Sequence, residues 1–413
     1  MRIAVIGTGI AGLGAAHALR RVHDVVVFER DDRPGGHSDT HEVTGPDGVT
    51  RAIDTGFIVH NPANYPLLTR LFTELGVATR PSEMSFSVSC ERCGISYAGR
   101  APMDQLGHLR SPRMVRLLAE VTRFLMTAGR WLDGRHRTRT LDQLVRAEGF
   151  SNDFRDHFLL PFTGAIWSMP AGGARAFPAD TALRFFANHS MLGWRRHTWR
   201  TVEGGSREYV RRIVAGLGDR VHLSTGVAAV RREPGRVVVA TDDGAEHAVD
   251  RVVIAAHSDQ ALRMLEAPTP DEAAVLGAIA YRPNVAVLHT DRAMLPPDGA
   301  PWASWNHLIT DCRDESEAPG VTYLMNRLMR FEAPDPWCVT LNRENRIAPT
   351  HVHARMEYAH PQYDFAAVRA QERLPSVSGA DRVWFAGAYH RHGFHEDGLR
   401  AGLAAAAGLG APW

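Results

Sequence analysis

The sequence predicts an α/β chain, with α+β insertions, whose first domain is a doubly wound parallel sheet. Three observations carry this. Residues 2–7 (RIAVIG) are a short β-branched run ending in glycine. Residues 10–20 place small and apolar residues at helical spacing. Residues 24–29 (DVVVFE) are a second apolar run. Strand, glycine turn, helix and strand within about 30 residues open a βαβ unit.

Length and charge set the frame. The chain has 413 residues, more than the roughly 250–300 at which single cores divide into domains. It is 44% hydrophobic and 23% charged, which is globular and excludes a mostly disordered chain. Its 47 basic and 46 acidic residues leave a formal charge of +1. That balance excludes nucleic acid as a partner on bulk electrostatics. Every basic residue is Arg and none is Lys, so no mechanism that needs a lysine amine is open. Four cysteines are too few for a disulfide scaffold and point to a reducing compartment. No apolar run reaches the roughly 18–20 residues of a membrane span. The glycine-broken opening run does not read as a signal peptide. The expectation is a cytoplasmic protein without a transmembrane segment.

The remaining elements follow in order. Residues 62–76 read as a helix, opened by Pro62 and closed by Gly76. Residues 84–98 alternate around a Cys-Glu-Arg-Cys-Gly turn and read as a hairpin. Across 103–150, Arg110, Arg113, Arg116, Arg123 and Arg130 interleave with Met114, Leu117, Leu118, Val121 and Phe124 at a helical period. Residues 153–200 continue helical and aromatic. Three strand-like runs over 221–259 return to the first domain. Residues 280–345 hold further strands rich in Trp, Asn and Tyr, read as a second sheet. Residues 383–408 end the chain with strand, loop and Ala-rich helix. The expected domains interleave: 1–80 with 201–270 and 375–413, against 81–200 with 271–374, the second including the Arg-rich segment 103–150.

Gly7-Thr8-Gly9-Ile10-Ala11-Gly12 is a GxGxxG turn. Its first glycine permits the tight turn, its second the approach of a pyrophosphate, its third the packing of helix on strand. Glu29 ends the second strand and can accept ribose hydroxyls. A plain βα turn is the bland alternative, and the flanking strand and helix argue against it. The next segments favour FAD over NAD. Arg30 through His37 adds a second glycine pair, Gly35-Gly36, and Asp54-Thr55-Gly56 follows another short strand. Phe385-Ala386-Gly387 precedes a loop, and Glu396-Asp397-Gly398-Leu399 opens the last helix. That helix could aim its dipole at the charge that develops on a reduced flavin.

These motifs (GTGIAG, Glu29 to Gly36, the DTG segment, Thr225-Gly226-Val227 and FAG…EDGLRAG) resemble the flavin-containing amine oxidase and phytoene desaturase superfamily over essentially the whole chain. The phrases IDTGFIVHNPANYPLL, WASWN and GFHEDGLRAGL look most like a bacterial group of NAD/FAD-binding oxidoreductases associated with fatty-acid modification. The resemblance implies a Rossmann-type FAD domain of GR2 type, with a mixed-sheet and helical substrate domain. It implies FAD held non-covalently, since no cysteine matches a covalent attachment position. Gly7, Gly9, Ile10, Ala11 and Gly12 would hold the pyrophosphate and Glu29 the ribose. Arg30, Gly35, Gly36 and His37 would line the phosphate and ribityl side. Thr55 and Gly56 would lie near the ring, Val227 against the adenine, and Gly387, Phe394, Asp397, Gly398 and Leu399 over the ribityl and pyrimidine end. His37 departs from the Arg or Ser usual after the second glycine pair. The missing lysine lowers amine oxidation, because many amine oxidases use a Lys-bound water and Arg is always charged.

Other groups were open to chemistry. His395 and Glu396 could donate a proton, and Asn306 is a third catalytic candidate. Ile58, His60, Asn61, His307, Tyr323 and Asn326 could line a substrate cavity, with Asn306, His307, Tyr323 and Asn326 read as lying on strands of the second sheet. Cys90 and Cys93 resemble half a zinc knuckle, but no second close pair follows, so they read as incidental thiols with no metal. His390, His392 and His395 have metal-like composition and read as part of the closing loop. The segment 110–139 is a solvated amphipathic helix, a tunnel guard, or a peripheral contact with anionic lipid.

The leading expectation is an FAD-dependent oxidoreductase that moves a hydride between flavin N5 and an apolar, lipid or fatty-acyl-like substrate. The alternatives are a flavin-dependent double-bond isomerase, a non-catalytic flavoprotein partner of a lipid-modifying methyltransferase, and an amine oxidase.

Overall fold

A computed structural model describes residues 1–99, 111–193, 197–296 and 302–413. The opening strand Arg2–Ile6 lies at the centre of a five-stranded sheet. Its order is Val383–Phe385, Arg251–Ile254, Arg2–Ile6, Asp24–Phe28, Val221–His222, and all pairs are parallel. The pattern of a fully covered parallel strand explains this. Ile3 and Val5 enter one core while Ala4 and Ile6 enter the other. The first helix, Ile10–Leu19, is buried all round, so its small residues let neighbouring elements close on every side.

A three-stranded antiparallel sheet, Val227–Glu233, Arg236–Thr241 and Glu246–Val249, stands beside the first. A third sheet has seven strands, in the order Val352–Gln362, Ala280–His289, Cys338–Leu341, Gly320–Leu324, Trp305–Ile309, Phe86–Cys90, Ser96–Gly99. Trp305–Ile309 and Phe86–Cys90 pair in parallel, and the other neighbours are antiparallel. The strand Val352–Gln362 was not anticipated. Its apolar residues are sparse because only Met356 and Tyr358 are buried.

The helix expected over 62–76 begins later, as Pro66–Leu75, with Gly76 left-handed at φ 67°. An Asx turn delays it: the Asn64 N–H donates to Asn61 Oδ1 at 2.9 Å, and Pro66 suits the first helical position. Asn326 is not on a strand. It lies in the short helix Met325–Leu328 that leaves the strand Gly320–Leu324.

The Arg-rich stretch folds as the helix Pro112–Thr127, with Met114, Leu117, Leu118, Val121 and Phe124 buried. Arg110 and residues 103–109 lie outside the described residues. Three of the guanidinium groups on this helix are engaged within the chain. Arg113 pairs with Asp153, Arg116 with Glu120, and Arg123 lies over the Phe150 ring while donating to the Glu148 and Gly149 carbonyls. The apolar face packs into an aromatic core of Phe124, Phe150, Phe154, Phe158 and Phe186. Among the described residues no helix is long and apolar enough to cross a membrane.

Candidate cofactor and active site

The glycine turn is built where the central strand meets the first helix. Gly7 has φ 98°, and a Cβ there would lie 2.7 Å from the Ala255 carbonyl oxygen, so only glycine fits. A Cβ on Gly12 would lie 1.9 Å from the Gly7 oxygen. Gly9 differs: nothing lies within 4 Å of its missing Cβ. The turn is thus walled by backbone at Gly7 and Gly12 and open at Gly9. No side chain caps the helix that follows, and its first turn holds no acidic residue. Its leading N–H groups therefore point at an uncompensated, positive helix end.

Glu29 closes the turn. Its Oε2 accepts from the Thr8 N–H at 2.8 Å and the Thr8 hydroxyl at 2.5 Å, and Oε1 accepts from the Asp31 N–H at 3.0 Å. Acceptor capacity remains on Oε1, as two ribose hydroxyls require. The second glycine pair reaches the same place: a Cβ on Gly36 would sit 3.2 Å from the Gly9 Cα. Arg30 departs from its expected position. Its side chain is exposed and turns to Asp31 rather than to the phosphate side. Arg33 is the cation that turns inward there, pairing with Asp39 at 2.9 Å and donating to the Gly36 carbonyl at 3.0 Å. Val227 opens the three-stranded sheet directly after Gly226, and the Thr225 N–H donates to the Glu29 carbonyl at 2.7 Å. This places the segment at the ribose end of the turn.

His37 is half-buried beside the second glycine pair and lies 5.0 Å from the Tyr358 ring. Burial holds its pKa well below the usual histidine value, so the ring is neutral. Its backbone carbonyl accepts from the Phe57 N–H at 2.7 Å, and a Cβ on Gly56 would come within 2.3 Å of that oxygen. The second glycine pair and the Thr55-Gly56 segment therefore touch. Thr55 donates to the Asp39 carbonyl and meets the Tyr358 hydroxyl at 2.8 Å.

The C-terminal helix completes the cleft. A Cβ on Gly398 would lie 2.9 Å from Ile10 Cγ2 and 3.6 Å from the Ala388 nitrogen. Leu399 is fully buried against Gly14. Gly387 is extended at φ 174° and lies under the Tyr389 ring. Asp397 accepts from the His392 and Phe394 N–H groups at 3.2 and 3.1 Å, and burial raises its pKa to about 6. Phe394 stacks on Phe185 at 4.9 Å, which joins this helix start to the helical layer.

The structure separates the catalytic candidates. His395 lies parallel to Phe57 at 3.8 Å, and its Nε2 meets Ser38 Oγ at 2.9 Å and the Tyr209 hydroxyl at 3.2 Å. Burial lowers its pKa to about 3, so it is a neutral ring and not an acid at neutral pH. Glu396 accepts from the Leu67 and Leu68 N–H groups at 3.1 and 3.0 Å and pairs with Arg400. It caps the helix Pro66–Leu75, whose own first turn has no side-chain cap. It is a structural clasp rather than a free proton donor. Asn306 is engaged in full: Oδ1 accepts from Ser87 and Ala303, and Nδ2 donates to the Ala303 and Thr322 carbonyls. It has no polar capacity left for chemistry.

The substrate-lining candidates divide likewise. His60 and Asn61 are buried, with His60 Nδ1 and Asn61 Nδ2 unpartnered. Burial lowers the His60 pKa to about 4, and the Phe57 ring lies near both histidines, 6.5 Å from His60 and 3.8 Å from His395. Ile58 packs at the margin of the seven-stranded core. Tyr323 is buried edge-on to Trp305 at 4.9 Å. Asn326 accepts from the Trp337 N–H and donates to the Asp335 carbonyl, so it serves a local turn. His307 lines a cavity with Leu160, Cys312 and Arg343, and no residue of the glycine turns lines it.

The spacing argument that left Cys90 and Cys93 without partners does not hold. Cys90, Cys93, Cys312 and His157 offer ligand atoms that all lie within 4.8 Å of one another. His157 lies 64 residues from Cys93 along the chain, and Cys312 follows Asp311, whose partner Arg92 is 219 residues away, separations no local motif reveals.

The residues present fit FAD. Gly9 faces open space beside an uncapped helix end, Glu29 keeps acceptor capacity, and His37 Nε2 is buried without a partner next to the Gly35-Gly36 turn. Comparison with known proteins agrees. The family described as flavin containing amine oxidoreductase matches residues 10–409. The protein named flavin-containing monoamine oxidase AofH from Mycobacterium tuberculosis is 29% identical over 287 residues, 65% of this chain and 60% of that one. Tryptophan 2-monooxygenase from Pseudomonas savastanoi is 26% identical over 322 residues, 66% of this chain and 55% of that one. The alignments thus span less than two thirds of these relatives. A putrescine oxidase variant superposes with a TM-score of 0.69 at 18% identity, covering 99% of this chain and 98% of that one. The CLA-producing fatty acid isomerase from P. acnes superposes at 0.68 with 17% identity, covering 97% of this chain and 96% of that one. At those identities the likeness is one of fold. The chain belongs to the flavin-containing amine oxidoreductase family.

Proposed function

We propose that this chain oxidises or reduces a carbon centre of an apolar, lipid or fatty-acyl-like substrate. When bound, the flavin supplies a hydride acceptor or donor. The chain's own residues bind and orient it: the Gly7–Gly12 turn and the first helix for the pyrophosphate, Glu29 for the ribose, and the Gly35-Gly36, Thr55-Gly56 and Gly398-Leu399 segments around the remainder. The domain division expected from the sequence is proposed with it. In its support, all strands of the five-stranded sheet fall within 1–80, 201–270 and 375–413, and all strands of the seven-stranded sheet within 81–200 and 271–374.

One observation carries the choice of substrate class: the acidic groups around these segments are already engaged by the chain's own donors. His37, His60 and His395 are all held neutral by burial. Asp39 is paired with Arg33, Asp54 accepts from Thr40 and Ser206, Glu396 caps a helix, and Asp397 accepts two backbone N–H groups. None of these four carboxylates is left to pair an ammonium, and the chain has no lysine to hold a catalytic water. An apolar substrate meets no uncompensated charge there.

The experiment is anaerobic mixing of the yellow holoprotein with unsaturated and saturated fatty acids and, in parallel, with primary amines. Bleaching of the flavin by a fatty acid supports net oxidation. A rearranged double bond without bleaching supports the isomerase alternative, which the fold of the fatty acid isomerase favours. Bleaching by amines alone supports the amine oxidase reading, which the names of the curated relatives favour, and sinks the lipid one. Turnover only after a lipid methyltransferase is added would support a partner role.

A further inference from the structure

We propose that Cys90, Cys93, Cys312 and His157 bind one Zn²⁺ ion as a closed tetrahedral site that fastens the edge of the seven-stranded sheet to the helical layer. No residue of the FAD cleft takes part. The donor set is Cys₃His, one of the standard structural zinc sets. The four ligand atoms lie within 4.8 Å of one another. With Zn–S near 2.3 Å and Zn–N near 2.0–2.1 Å, a tetrahedron has edges of roughly 3.6–3.8 Å, so the ligands need close by only about 1 Å.

Three separate elements deliver these groups. Cys90 and Cys93 flank the hairpin turn between Phe86–Cys90 and Ser96–Gly99. The turn is held by the Gly94 N–H on the Cys90 carbonyl at 3.0 Å and the Cys90 N–H on the Ile95 carbonyl at 2.8 Å. Gly94 is left-handed at φ 72°, so the backbone doubles back and brings both thiols to one side. The Glu91 N–H donates to the Ile309 carbonyl at 2.9 Å, which ties the turn to the strand Trp305–Ile309. Cys312 follows that strand by three residues. His157 comes from the helical layer.

His157 carries the detail that points to a metal. It lies on a π-helical turn, Arg155–Leu159, within an otherwise α-helical run. Such bulges re-aim a side chain and concentrate at functional sites. Its Nδ1 lies 3.2 Å from the Asp153 carbonyl oxygen, which can only accept, so Nδ1 carries the proton. The lone pair is then on Nε2, which lies 3.1 Å from Cys93 Sγ. This is the arrangement of a metal-bound histidine oriented by an outer hydrogen bond. The Asp153 carboxylate is held in turn by Arg113 at 2.5 and 2.7 Å, and the Tyr97 hydroxyl fixes the His157 carbonyl at 2.7 Å. His157 is 2% exposed and Cys90 4%, while Cys93 and Cys312 are part-buried on the outer side of the cluster.

The count also speaks for a metal. A disulfide would use two of the three thiols and leave the third facing an oriented imidazole. A mononuclear ion uses all four groups and leaves no open position, which makes the site structural. Binding releases up to three protons from the thiols to solvent, and nothing is oxidised or reduced.

The test is elemental analysis of wild-type holoprotein, purified under reducing conditions from zinc-containing medium without chelators. The expected result is one zinc per chain, released when a mercurial blocks the thiols. Cobalt substitution should add the long-wavelength bands of a tetrahedral thiolate site, beyond the flavin absorption. Cys312→Ser and His157→Ala should each lose the metal, whereas Cys338→Ala, at the one cysteine outside the cluster, should retain it. Metal at background after reconstitution with ZnCl₂, iron in place of zinc, or a native Cys90–Cys93 disulfide would each overturn the proposal. The wild-type measurement decides even if the variants do not fold.

Discussion

A Cβ built on Gly402 would lie 2.0 Å from the carbonyl oxygen of Ala11, so the last helix and the first lie backbone against backbone. This contact ties the closing helix, His395–Gly408, to the helix that follows the glycine turn. Gly402→Ala must push the two apart, because the obstacle is backbone and cannot rotate away. Overpacking of this kind costs about 1–3 kcal/mol. The expected outcome is a lower melting temperature and a lower flavin-to-protein absorbance ratio. A variant that melts and binds flavin like wild type would contradict the close packing.

Glu29 joins the glycine turn to the second strand through both Thr8 bonds. Glu29→Gln keeps the shape but loses the charge, and an amide cannot accept at both ends. Hydrogen bonds to a charged group are worth about 1.5–3 kcal/mol. FAD affinity should therefore fall by tenfold or more, read by titrating apoprotein with FAD. An unchanged dissociation constant would remove Glu29 from the ribose site.

Glu396→Gln separates clasp from acid. Its two oxygens hold the Leu67 and Leu68 N–H groups, and an amide can accept only at its one oxygen. The variant should lose roughly 0.5–2 kcal/mol of stability, the ordinary worth of a helix cap, while the pH profile of flavin reduction keeps its shape. Loss of a limb from that profile, with stability unchanged, would return Glu396 to the role of proton donor.

The reasons these groups were or were not legible are local and physical. Glycines at 7, 9 and 12 constrain backbone within one turn, so their spacing announces the fold. The period of Met114, Leu117, Val121 and Phe124 does the same for the Arg-rich helix. Glu396 and Asn306 are different, because partners set their roles, and Leu68 lies 328 residues from Glu396. A polar residue's type does not say whether its hydrogen bonds are already taken. Arg30 and Arg33 show the same limit: both lie by the cleft in sequence, and packing alone decides that Arg33 turns in. The Cys90 and Cys93 pair was visible, but its companions were not, since Cys312 and His157 arrive only through the parallel pairing of two strands and a π turn.

Buried histidines set the acid limit of the fold. His60, His189, His360, His390 and His392 all have pKa values lowered to about 4, burial being the largest cause in each. An unfolded histidine titrates near 6.5. Between these values the unfolded chain binds more protons, so stability is full above about pH 6.5 and falls as pH drops toward 4. Asp54 and Asp397 act in the opposite sense. Burial raises both to about 6, so the folded state takes up their protons first, and their contribution grows as pH falls through 6. Five histidines outweigh two carboxyls of comparable shift. Each histidine contributes on the order of 1–2 kcal/mol by pH 5, against a total stability of about 5–15 kcal/mol for an ordinary domain. The holoprotein should therefore lose its flavin and unfold cooperatively between about pH 6 and pH 5, followed by flavin fluorescence and by circular dichroism. A melting temperature that stays level from pH 7.5 to pH 5 would mean that these rings are hydrated and titrate normally.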